Sequence, residues 1–196
     1  VNGRTLVIAC GALARELVAV KALSRLDHLD IACLPAILHN RPLEIAPAVR
    51  RKIRAERARY RKILCLYGDC GSGGMLDAML AEEGVERIEG AHCYAFYAGL
   101  EAFDGMMEDE IGTFFLTDYL ARHFDRLVWA GLGLDRHPDL RDDYFRQYRR
   151  VVHLAQTEDP AIAAKALRAA TRLALPLETR FTGYGLMRPF LTGPGA

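Results

Sequence analysis

Residues 5–11 read TLVIACG, an unbroken apolar and β-branched run that stops at Cys10-Gly11. A short run without alternation suits a strand buried on both faces of a parallel sheet. Residues 13–26 follow with helical spacing, placing Leu13, Leu17, Val20 and Leu23 on one side. Residues 29–34 (LDIACL) form a second strand. Strand, helix, strand opens a βαβ unit, and the rest of the chain repeats the pattern.

A basic helix over 41–59 takes Pro42 in its first turn and buries Ile45, Val49 and Ile53. A third strand, 62–67 (KILCLY), breaks at the glycine-rich stretch 68–74 (GDCGSGG), and a helix covers 75–82. The spacing then predicts a strand over 85–88, a helix over 93–102, a strand over 112–117 and a helix over 119–129. A polar helix over 139–149, a strand over 150–154 and an Ala-rich helix over 160–173 complete the alternation. The tail, 177–191, offers one further strand. This order predicts a single α/β domain over 1–196, Rossmann-like and three-layered, with a mostly parallel sheet of about five to six strands.

Composition narrows the function. Of 196 residues, 51% are apolar and 26% charged, a globular balance. Lys plus Arg is 26 against 25 for Asp plus Glu, a net charge of +1, which lacks the footprint of a non-specific nucleic-acid binder. No apolar run approaches the ~18 residues of a membrane span. The short apolar start reads as a core strand and not as a leader. Five cysteines, an odd number widely spaced, argue against a disulfide framework and for a reducing cytoplasm. The arginines of 41–59 could bind phosphate or form a solvated face; acidic residues elsewhere favour the solvated face.

In a parallel sheet, ligands bind beyond the carboxyl ends of the strands. Those ends carry Cys10-Gly11, then His39-Asn40, then Tyr67-Gly68-Asp69-Cys70-Gly71, then His92-Cys93. Cys33 and Cys65 lie inside apolar runs and read as small buried hydrophobes. Cys10, Cys70 and Cys93 would converge, and their soft thiolates with His92 or His39 suit Zn²⁺ or an iron–sulfur cluster. A redox or nucleophilic thiol and plain buried cysteines are the alternatives. Gly71 and Gly73 could cradle an anion or merely form a tight turn. No P-loop or dinucleotide fingerprint is present. Asp69 could act as general acid or base or hold its turn, and Tyr67 could line the pocket. Glu16 reads as a surface residue or one reaching back to the site. His28, His123 and His137 read as surface residues, His153 as a satisfied core or edge histidine, and Trp129 as a packing residue.

These segments carry a resemblance. Cys10-Gly11, Leu38-His39-Asn40-Arg41-Pro42, Tyr67-Gly68-Asp69-Cys70-Gly71, His92-Cys93-Tyr94 and Gly112-Thr113-Phe114-Phe115-Leu116-Thr117 together resemble the motifs of the bacterial and archaeal family called domain of unknown function 1638. The family's His-Asp-Cys stands here as Ala91-His92-Cys93, and Asp118-Tyr119 replaces a frequent Gly-Trp. The resemblance implies an intracellular Cys/His metal site and a setting near corrinoid-dependent methyltransferases. The expectation is a cytoplasmic metal-binding protein in one-carbon methyl metabolism, with Cys10, Cys70, Cys93 and His92 as ligands. A catalytic version would use Asp69, His39 and Tyr67 on a small polar substrate, with Asn40 and the Gly71–Gly74 turn closing the pocket. The alternatives are a non-catalytic accessory protein binding a methyltransferase or corrinoid protein, and a cysteine-nucleophile enzyme.

Overall fold

The computed structural model describes residues 2–109 and 112–193. β1 (Asn2–Cys10) lies between two parallel partners. It pairs with β2 (Leu29–Leu34) from Thr5↔Leu29 to Cys10↔Leu34, and with β3 (Tyr60–Leu66) as far as Ala9↔Leu66. β4 (Glu86–Arg87) extends the far side of β3, so the sheet runs β2-β1-β3-β4, all parallel.

The burial expected of TLVIA is present: Leu6, Val7, Ile8 and Ala9 are all buried. Their side chains alternate between two cores. Leu6 and Ile8 join Ile63, Cys65 and Tyr67 with Ile45, Val49 and Ile53 of α2 (Ile45–Glu56) and Leu76 and Met79 of α3 (Met75–Glu83). Val7 and Ala9 join Leu17 and Val20 of α1 (Ala14–Leu23) and Met187 and Leu191 of the last helix, Met187–Thr192. Helices thus cover both faces, the three-layer arrangement that a doubly buried parallel sheet demands.

The chain forms two compact units: residues 1–100 with the returning segment from Tyr184, and Glu101–Gly183. α4 (Cys93–Ala98) ends at Gly99, where α5 (Leu100–Asp109) begins, so the helix expected over 93–102 is interrupted. The second unit holds its own parallel sheet, β5-β6-β7, built from Thr113–Thr117, Arg150–Ala155 and Leu177–Phe181. α6 (Asp118–Phe124) starts where Thr117 accepts the Leu120 amide at 3.3 Å, and continues into a wide turn over Asp125–Trp129. α7 (Leu140–Phe145) precedes β6, and α8 (Pro160–Leu173) is capped by Asp159, which accepts the Ala161 amide at 2.8 Å. The α/β alternation and parallel pairing agree with the sequence, with the strands divided between two sheets.

Three expectations need correction. Cys33 is exposed, because β2 is an edge strand, whereas Cys65 in β3 is fully buried as expected. Glu16 is not a surface residue: it is 3% exposed, on α1. The helix expected over 41–59 shortens to α2, preceded by a 3-10 turn at Pro42–Glu44. Its arginines form an ion-paired face: Arg54 meets Glu83 at 2.8 Å, Lys52 and Arg59 each meet Glu56 at 2.8 Å, and Arg50 pairs with Glu82. His28 and His137 are exposed, as read. Among the described residues no helix is long and apolar enough to cross a membrane.

The returning segment is seated through Gly185. The Leu186 amide donates to the Phe96 carbonyl at 2.7 Å, and a Cβ on Gly185 would stand 2.2 Å from that oxygen, with φ at +45°. Gly185→Ala should therefore unseat the last helix and lower stability by more than about 1 kcal/mol, read as the midpoint in urea. A wild-type midpoint would show that the segment contributes nothing to the first unit.

Candidate functional site

The chain leaves β1 to one side to make β2, then crosses to the other side to make β3. Such a reversal opens a crevice at the carboxyl ends of the two inner strands, the usual ligand position in an open α/β sheet. Cys10 ends β1, and Tyr67 follows β3 one residue beyond the pair Ala9↔Leu66, so the two flank that crevice.

Close backbone approaches gather the other segments there. The Cys70 amide donates to the Ala91 carbonyl at 2.9 Å, bringing the turn after β3 against the segment before α4. Gly68 permits this: a Cβ there would stand 2.9 Å from the Ala91 oxygen and 3.1 Å from the His92 Cα. A Cβ on Gly11 would meet the Leu34 carbonyl at 2.9 Å, and one on Gly71 would meet Pro42 at 3.7 Å. The Arg87 guanidinium donates to the carbonyls of Ile88 at 2.8 Å and Gly90 at 3.0 Å, steering the chain towards His92-Cys93.

The thiols of Cys10, Cys70 and Cys93 lie within electrostatic reach of one another. Burial pushes all three up, and each would-be thiolate raises its neighbours: Cys10 raises Cys70, and Cys70 and Cys10 both raise Cys93. Cys70 is pushed to about 11, chiefly by burial. Arg87 pulls it the other way but is committed to Asp77 through a two-pronged pair, with one arm at 2.8 Å. Cys70 also holds φ at +50°, a left-handed conformation uncommon outside glycine.

Tyr67 is buried, and its hydroxyl has no well-formed hydrogen bond among the described residues. The Cys10 thiol is near enough to interact with it without satisfying it, and burial raises its pKa strongly. His39 and Asn40 are exposed, on the 3-10 turn Ala36–Asn40. Partial desolvation of the His39 ring, then the nearby His92, lowers its pKa, which favours the neutral imidazole, the form that ligates metal. His92 is half-buried immediately before α4, its ring 6.5 Å from that of Tyr94.

Asp69 is the residue that holds the turn. Its carboxylate accepts the Ser72 hydroxyl at 2.5 Å and the amides of Gly74 at 2.9 Å and Gly73 at 3.2 Å. Burial opposes its ionisation, but these donors outweigh it and keep its pKa low. The Gly73 amide is thus already donated within the chain, and the glycine stretch forms a tight turn around its own carboxylate. Among the described residues, no group of three or more His, Cys, Asp or Glu side chains is arranged to hold a metal ion.

A second polar centre went unnoticed in the sequence. Asp118 follows β5 and is fully buried. It meets His153 Nε2 at 2.9 Å and accepts the Thr157 hydroxyl at 2.6 Å and the Gln156 amide at 3.2 Å. The Gln156 side chain accepts the Asp118 amide at 2.7 Å. Burial works against the Asp118 charge, yet these partners hold its pKa low. His153 is the core histidine expected, with Nδ1 buried and unpartnered among the described residues. The available signal was positional: Asp118 and Gln156-Thr157 each stand just past the carboxyl end of a strand.

The family model described as "Protein of unknown function (DUF1638)" matches residues 33–191, and the chain belongs to that family. Cys70, Cys93, His39 and His92 fall within the match, and Cys10 precedes it. No curated protein and no solved structure matches the chain.

Alkylation with iodoacetamide at pH 8 should label exposed Cys33 first and Cys65 only on unfolding. At about 11, Cys70 offers roughly one hundredth of the thiolate of an ordinary cysteine at that pH, so fast labelling of Cys70 would contradict its environment. Asp118→Ala strands buried donors and should cost about 2–4 kcal/mol. A carboxylate with lowered folded pKa stabilises above its unfolded pKa and loses that contribution as pH falls. The deficit of the variant against wild type, in urea melts, should therefore shrink as pH drops below about 4.

Proposed function

We propose that the carboxyl edge of the first sheet is a soft-metal site, with Cys10, Cys70 and Cys93 as its thiolate ligands and His92 or His39 completing the set. The observation that carries this reading is the gathering of three thiols, from the end of β1, the turn after β3 and the start of α4, at the strand crossover. With Arg87 committed to Asp77, the neutral thiols are favoured, which weighs against an activated nucleophile. A bound divalent ion supplies the missing positive charge and ionises the thiols outright. The left-handed Cys70 adds local strain of the kind found at functional positions.

Zinc is the first choice and an iron–sulfur cluster the second, since both take thiolate and imidazole ligands. No ready-made group of three such side chains exists among the described residues, so metal binding would require the thiols to be drawn together. With His92 as a ligand the site would be closed; with the three thiolates alone and the fourth position open, the ion would act as a Lewis acid towards a small polar substrate. Tyr67 would orient such a substrate through its unsatisfied hydroxyl, and His39, where it is not a ligand, would accept a proton from it. Asp69 keeps the Cys70 turn in shape. The reading calls for a reducing compartment, the cytoplasm, where free thiols persist. The methyl-transfer setting implied by the family resemblance selects corrinoid proteins and methyltransferases as the first partners to test.

Elemental analysis of protein purified without chelator should find about one zinc per chain, or iron with acid-labile sulfide. Cys70→Ser and Cys93→Ser should each lose at least about tenfold in metal affinity, whereas Cys33→Ser should bind normally. Metal-free protein of unchanged stability on exposure to zinc would overturn the proposal.

A further inference from the structure

The second unit carries a feature the thiol site does not use. A cleft of about 280 Å³ opens between α6 and α8, with Arg122, Lys165, Arg168 and Arg172 around it and Asp125 as its one carboxylate. Lys165, Arg168 and Arg172 fall at i, i+3 and i+7, so they share one face of α8. Ala121 and Ala169 are buried beneath them and leave the space open.

The charges are not internally balanced. Arg172 is fixed: it meets Asp125 at 2.5 Å and stacks over the Trp129 ring at 3.9 Å. That pair cancels the carboxylate. Arg122 lies 3.7 Å from Asp118, whose oxygens already serve His153, Thr157 and Gln156. Lys165 and Arg168 have no ion pair or hydrogen bond among the described residues. The basic face of α2 behaves differently: Glu82, Glu83 and Glu56 answer Arg50, Arg54 and Lys52, which leaves Arg51 as a single cation without an ion pair among the described residues. In a chain of net charge +1, two unanswered cations beside two anchored arginines mark a local, built concentration of positive charge.

We propose that this cleft binds a small dianion of the phosphate class, free phosphate or a compact phosphomonoester. A phosphate group carries about −1.5 to −2 charges, which matches the excess from Lys165 and Arg168. Guanidinium groups offer the planar donor forks that its oxygens accept. At 280 Å³ the cleft is just below the ~300–1,000 Å³ of sites for drug-sized ligands, which selects a compact anion over a nucleotide. The inference stands apart from the thiol site, and neither depends on the other.

Titration calorimetry of the full chain with inorganic phosphate and with glycerol 3-phosphate, at constant ionic strength in chloride, tests it. Saturable binding of either, with a Kd of about 1 mM or tighter, is expected. Lys165→Ala combined with Arg168→Ala should weaken it at least tenfold. Arg51→Ala, on α2, should leave it unchanged and controls for general loss of charge. Tighter binding of the ester would mark a phosphorylated metabolite as the ligand, and equal binding would mark the free ion. Heats indistinguishable from chloride, binding that survives the double substitution, or binding of poly-glutamate without phosphate would each overturn the proposal.

Discussion

The first unit depends on the central position of β1. Paired on both sides, it sets the heights at which β2 and β3 end: Cys10 opposite Leu34, and Ala9 opposite Leu66. Adjacent strands lie about 4.8 Å apart, so any residue one step past either register is brought beside Cys10. The backbone ladder therefore sets Tyr67 beside Cys10, and the turn after β3 and the segment before α4 bring Cys70 and His92-Cys93 towards the same edge. The apolar run Leu6–Ala9, buried on both faces, is what holds β1 in that position. A one-residue slip would exchange the two cores and carry Cys10 and Tyr67 out of step.

The cluster that results is electrostatically costly. Sulfur atoms from three segments share a poorly solvated space, and Arg87, which could offset them, is spent on Asp77. Each thiolate would raise the next, so the free thiols remain neutral. A neutral buried thiol is tolerable as a small hydrophobe. Asp69 contributes differently: it uses the glycine amides to lock the turn, so Cys70 is presented on a rigid support.

The legible and illegible parts of the structure divide along physical lines. Hydrophobic period and turn chemistry report local structure, so α8, and β1 with its Cys-Gly stop, could be read from the residues. The α/β class followed, as did the solvated face of α2. Strand partners are tertiary facts: nothing in GTFFLT states that β5 pairs with β6 in a separate sheet. Cys33 looked buried because LDIACL is apolar, but an edge strand exposes part of such a run. Glu16 looked superficial because a carboxylate on a helix is usually solvated. For the candidate site, the placement of Cys10 at a strand end, and of Cys70 and Cys93 in the segments after β3 and at the start of α4, could be read from the residues. The occupation of the glycine amides by Asp69 could not, because a nest that cradles an anion and one that cradles its own carboxylate share the same composition.

Charge makes the same distinction more sharply. Both α2 and α8 place lysine and arginine along one exposed face, and composition treats the two helices alike. What separates them is the neighbour. The acidic residues of α3, Glu82 and Glu83, stand across from Arg50 and Arg54. Across from Lys165 and Arg168 stands α6, and Asp125, in the wide turn that follows it, is already claimed by Arg172. An exposed ion pair is worth about 0–1 kcal/mol, so stability alone exerts little pressure to pair or to leave unpaired any single surface cation. Like charges held along one helix face, by contrast, repel at a small but cumulative cost. An α8 that keeps this repulsion, fixes one of its arginines against Trp129 and leaves an open cleft between the charges is arranged for a counter-charge that arrives from outside the chain.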